Sequence, residues 1–268
     1  MAAHPSHVSA LPHVEFMQNE RLFDLSRFGI PSHIHVCVTG TGSVILDVKR
    51  DKYLGLGREA TELLASTVQG WPHPNWPKSA RRDAHESARA TRDLCELLVA
   101  DGILEVIPET KKEREVAALR DLRREWISIG DEIEVTGRVT LTHVANFLSA
   151  YVWARYSLAW RPFSVVVEAV TASKLDRVRD LDRCHIRRVS AMVDIFRRLR
   201  PFAFAAEGHC LLHALTLVRF LSKYQLHPEW VVGVTTQPWG AHSWVQWDNF
   251  LLDTNPEKVC GYTPIMMV

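Results

Sequence analysis

Little in this sequence of 268 residues is arranged to cross-link, cage or anchor it. Five cysteines, at 37, 95, 184, 210 and 260, form an odd and scattered set without a C-x-x-C pair, which argues against both a disulfide framework and a zinc cage. His209 and His213 stand four residues apart around Cys210. No separate acidic or cysteine cluster completes a metal site, so neither metal nor cofactor is expected. Excess charge of one sign is missing too: 32 Lys+Arg face 31 Asp+Glu, and nothing global draws the chain to a polyanion. The opening residues, MAAHPSHVSALPHVEF, lack a basic segment followed by an apolar core, and no uninterrupted apolar run of about 18 residues occurs anywhere. A cytoplasmic protein with no membrane contact is the expectation. Even the most apolar segment, HVANFLSAYVWARYSLAW at 143–160, carries His143, Asn146 and Arg155 and reads as a core helix.

What is present divides by pattern. Residues 1–31 are rich in His, Pro and Ser and form an N-terminal extension without a readable role. From 34, IHVCV and SVILDV alternate apolar with other residues around a GTG hairpin signal, and KYLGL (52–56) predicts a third strand. Two amphipathic helices follow, REATELLASTVQG and DAHESARATRDLCELLVADG, and ILEV closes the unit as a short strand. This order predicts a small winged-helix domain over 32–108. Winged helices often bind DNA, yet 32–107 holds 9 Lys+Arg against 10 Asp+Glu. That balance neutralises few phosphates, so no nucleic-acid partner is expected. Residues 109–139 read as a charged linker. Residues 140–268 read as a second domain of helices (141–160, 163–174, 186–200) followed by strands. The fold class is therefore α+β.

Cys210 poses the chemical question, since it follows Gly208 and His209 at the mouth of the apolar run CLLHALTLVRFL. A free cysteine usually just packs. The end of the chain supplies what would make it a nucleophile. EWVVGVT reads as a buried strand, and AHSWVQW and FLLDT flank the two-residue turn Asp248–Asn249. In that register Trp244 faces Asp253 and His242 faces Asn255, all four on one side of the ribbon. A histidine with an acid or an amide to orient it thus follows a helix that starts with a cysteine. These are the parts of a cysteine nucleophile, its general base and an orienting group. A helix N-terminus and a neighbouring imidazolium both stabilise a thiolate.

The segment from Cys210 to Asp253, with AHSWV at 241–245, resembles the maturation peptidase of lasso peptide biosynthesis, a transglutaminase-like, papain-like cysteine protease. By that resemblance the triad falls on Cys210, His242 and Asp253, and His213 stands where relatives often have an arginine. The front of the chain, SVILDVKRDKYLGLGREATELLASTV with ADGILEV, resembles the winged-helix, PqqD-like leader-recognition domain of peptide-modifying systems.

Together the resemblances imply a fused leader peptidase. The precursor's leader would dock beside Lys52, Tyr53 and Leu54, and Cys210 would cleave it. The freed core N-terminus would then close as a macrolactam on a separate asparagine-synthetase-like cyclase. The alternatives are an acyl or amide transferase using the same triad, and a catalytically inactive peptide-binding adaptor.

Overall fold

The computed structural model of the protein describes residues 27–77, 84–107, 126–129, 138–173, 183–204 and 209–268. Most of the predicted linker 109–139 and of the N-terminal extension lies outside the described residues. In chain order the front half holds β1 (Arg27–Gly29), β2 (Ile34–Thr39), β3 (Gly42–Asp47), β4 (Lys52–Gly57), α1 (Arg58–Thr67), β5 (Val68–Gln69), α2 (Ala84–Ala100) and β6 (Glu105–Ile107). The rest holds β7 (Ile127–Ser128), α3 (Leu141–Trp160), α4 (Phe163–Ala172), α5 (Arg183–Leu199), α6 (Cys210–Ser222), β8 (Glu229–Thr236), β9 (Trp239–Trp247), β10 (Phe250–Leu251), α7 (Pro256–Val259) and β11 (Thr263–Met267).

The alternation at 34–57 builds an antiparallel sheet in the order β2-β3-β4, with the β2–β3 hairpin turning at Gly40–Thr41. β4 is an edge. One face, with Val36 and Ile45, packs on Leu64 of α1 and on Cys95 and Leu98 of α2. A buried hydroxyl pair fastens α1 to that face: Ser43 donates to Thr61 at 2.8 Å, and Thr61 donates to the Gly57 carbonyl at 2.9 Å. The strand at 27–29 was not expected, because three residues carry no periodicity. It pairs parallel with β5 and antiparallel with β6 in a separate small sheet.

The opposite face of β2-β3-β4 has a different partner. Cys37, Val44, Leu46 and Val48 are continuous with the core of the C-terminal half, where Ile265 and Met266 of β11 lie among them, and β11 packs against β2 and β3. β3 is therefore buried along its whole length. The front sheet is the shared layer between its own helices and the C-terminal sheet.

That C-terminal sheet runs β11-β8-β9-β10-β7. α6 crosses it with almost every residue after the first turn buried, packed between β9 and α3. α3 begins at a capping box: the Thr140 hydroxyl accepts from the His143 backbone N–H, and the His143 ring accepts from the Thr140 N–H. It is a core helix on one side only. Phe147, Ala150, Ala154 and Ser157 are buried, while Leu148, Val152, Tyr156 and Trp160 are exposed. A helix apolar all round reads as buried on every side, but α3 buries only one. Among the described residues no helix is long and apolar enough to cross a membrane.

Candidate active site

Cys210 is the first residue of α6 and is half-buried. His209 precedes it with φ −103° and ψ 44°, makes no side-chain cap, and no acidic residue stands in the first turn. Among the described residues no side chain caps that turn, and a negative charge at the helix start is favoured by its N–H groups. Cys210 lines a cavity of about 430 Å³ with His213, His242, Asp253 and Lys258 among its walls.

His242 is placed by β9. It stands opposite Gly233 of β8, and Trp244 opposite Val231. The imidazole lies over Trp244, with centroids 6.1 Å apart and planes 25° from parallel, and against Tyr262 at 5.2 Å. Gly233 makes room for this stack, because a Cβ there would come within 2.6 Å of the Trp244 ring. Burial, and secondarily the charge of Lys258, hold the His242 imidazole below its ordinary value of 6.5. Its Nε2 is buried without a hydrogen-bond partner among the described residues. A neutral imidazole with one nitrogen uncommitted is suited to taking a proton.

The hairpin turns where the sequence places it. Phe250 pairs with Trp247 and Leu251 with Gln246, around Asp248 in the left-handed conformation at φ 56°. The expected continuation to Asp253 does not occur. The last ladder bond is Leu252 N–H to the Val245 carbonyl at 3.0 Å, so Asp253 leaves the strand and Asn255 precedes α7 as its N-cap residue.

The Asp253 side chain is 5 % exposed, and its oxygens face basic groups. Arg197 Nε donates to Oδ1 at 3.1 Å, while its Nη2 donates to the Leu252 carbonyl at 2.9 Å. Arg200 Nη1 reaches Oδ2 at 3.4 Å. His213 Nε2 lies 2.8 Å from Oδ2, off the line of a straight hydrogen bond, with its ring wedged between Phe196 and Phe204. The carboxylate ties α5, α6 and the segment after β10 together. Because the two arginines stay a third to a half exposed, the pairing contributes on the order of 1–2 kcal/mol rather than the value of a fully buried ion pair.

The structure thus brings Cys210, His242 and Asp253 to the walls of one cleft, and no hydrogen bond joins Asp253 to His242 among the described residues. Lys52, Tyr53 and Leu54 lie elsewhere, on the exposed edge strand β4. His213 is a neighbour in the cleft whose role sequence reasoning left open. Its signal was there: three residues past Cys210 it shares that residue's face of the helix. Arg197 and Arg200 gave no signal, since basic residues in the last turn of a helix and just after it are ordinary. No group of residues suited to holding a metal is present among the described residues.

Residues 148–267 match a family model described as the transglutaminase-like superfamily. This stretch is a transglutaminase-like domain, of a generally cysteine-protease-like class, and it contains Cys210, His242 and Asp253. No curated protein and no solved structure matches the chain.

Proposed function

We propose that this chain is a cysteine peptidase that removes the leader from a ribosomally made lasso peptide precursor, freeing the core N-terminus for macrolactam closure by a separate asparagine-synthetase-like cyclase. The observation that carries the reading is the placement of Cys210 at the start of α6 in one cleft with His242, whose Nε2 is buried without a partner among the described residues. Cys210 is the nucleophile. His242 takes its proton and returns it to the leaving amine, and water then releases the acyl group from sulfur. Asp253, the third member of the triad, stabilises the imidazolium by its charge and holds the frame in which both groups sit.

In this reading the front of the chain is a winged-helix, PqqD-like leader-recognition domain. The free edge of β4 supports it: an extended leader adds beside Lys52, Tyr53 and Leu54 as a further strand. A transglutaminase-like acyl or amide transferase would use the same thioester and differ only in the acceptor.

The test is to find a short precursor frame and a cyclase frame beside this gene, incubate that precursor with the chain, and follow it by mass spectrometry in ¹⁸O water. A single cut that leaves ¹⁸O on the leader's new carboxylate is expected. An amine adduct in its place identifies the transferase, and no change in the precursor rejects both.

A further inference from the structure

β4 has two faces, and leader docking on its edge accounts for neither of them. On the face that looks toward the C-terminal half stand Tyr53, Gly55 and Gly57, opposite Leu46, Val44 and Gly42 of β3. Two of these three positions have no side chain. A Cβ built at Gly55 or Gly57 would meet nothing within 4 Å, so the space above the strand is open. It forms a trough of about 390 Å³ whose far wall is Thr236 and Trp239, at the turn between β8 and β9. Here the interface between the front sheet and the C-terminal sheet is unfilled, although Cys37, Val44 and Leu46 belong to the core that closes it elsewhere.

A bare strand face marks a place where another backbone comes close. The walls suit a backbone as well. Thr41 donates to Thr236 across the gap at 3.0 Å, and these hydroxyls have remaining capacity for peptide N–H and C=O groups. At one end Tyr53 meets Trp239 edge-on, with ring centroids 5.5 Å apart, and Trp239 is 55 % exposed. Trp239 begins β9, three residues before His242, so that end of the trough sits on the strand that carries the cleft histidine. From Tyr53 to Gly57 the strand advances roughly 13 Å, enough for about four residues of extended peptide.

We propose that the Gly55–Gly57 trough is a second peptide subsite, which seats the stretch of substrate lying between the segment held on the β4 edge and the bond presented to Cys210. The subsite takes an extended backbone of small side chains, and the Tyr53–Trp239 pair grips the residue that leaves it for the cleft. This inference rests on the peptidase reading for what lies at the end of the trough, but peptide binding in the trough is independent of cleavage.

The test uses the full chain and two display libraries of random peptides, 6 and 20 residues long. In a Cys210→Ala background, long peptides are retained at least tenfold better than short ones. Gly55→Val, whose Cβ enters the open space above the strand, and Trp239→Ala, which removes part of the far wall together with its edge contact to Tyr53, each lower that retention at least tenfold. With Cys210 intact, each variant loses at least tenfold more cleavage on the long library than on the short one. Retention unchanged in both variants, retention by neither variant nor parent, or equal loss of cleavage at both lengths overturns the subsite. Retention that responds to both variants, together with no cleavage by the parent, upholds the subsite and rejects the peptidase.

Discussion

Four cysteines have described surroundings, and their chemistry is set by where they sit. Burial pushes the Cys37 thiol up to about 12 and the Cys95 thiol to about 11, so neither forms a thiolate at pH 8. Cys260 is exposed and Cys210 half-buried in the cleft. Iodoacetamide at pH 8 should therefore modify Cys210 and Cys260, and in a Cys260→Ser chain Cys210 should be labelled at least tenfold faster than Cys37 or Cys95; peptide mapping reads this directly, and labelling at Cys37 would contradict it. His242 is the second residue with a clear expectation. In a Cys210→Ala chain its NMR titration midpoint should lie below 6.5, because burial and Lys258 both disfavour the charged ring. Lys258→Gln removes the smaller of these effects, so the midpoint should rise without reaching 6.5. Cys210 and His242 were legible in the sequence because each is announced by its own element, a helix start and a strand of fixed alternation. The clamp on Asp253 was not, because Arg197 and Arg200 come from α5 and the turn after it, which are adjacent only in space.

The β8–β9–β10 meander is the element on which the site depends. Its turn at Asp248–Asn249 and its pairing followed from turn chemistry and period two. Where the ladder stops did not follow, because nothing in FLLDT distinguishes a paired Asp253 from one drawn off the strand by three basic groups on α5, the turn after it and α6. Support for His242 comes from the Trp244 ring packed over Gly233. Gly233→Ala places a methyl 2.6 Å from that ring, so the ring must move, at a cost of about 1–3 kcal/mol. The expected outcome is a lower Tm together with a lower kcat, since the surface on which His242 rests is displaced. A variant with wild-type Tm and kcat would show that the stack does not position His242.

At the scale of the whole molecule the front sheet and the C-terminal sheet share a core, which the sequence could not indicate. Two domains separated by a charged linker were the natural reading of composition, and a strand buried on both faces looks the same whether its second cover is local or distant. Leu46 is fully buried within the shared cluster. Leu46→Ala should cost about 2–5 kcal/mol and, because the cluster spans both halves, lower a single calorimetric transition. Two transitions, with only one moved, would mean that the halves fold independently.

The central claim is that Cys210 carries an acyl group from a peptide. Intact-mass and peptide-mapping spectrometry of the chain, quenched in acid within seconds of mixing with a peptide substrate selected from the 20-residue library, tests it most directly. The account predicts a thioester adduct on Cys210 equal in mass to the N-terminal fragment less water, absent from Cys210→Ala and slow to form in His242→Ala. Peptide cleavage at the wild-type rate by Cys210→Ala, or an adduct on any other residue, would contradict it.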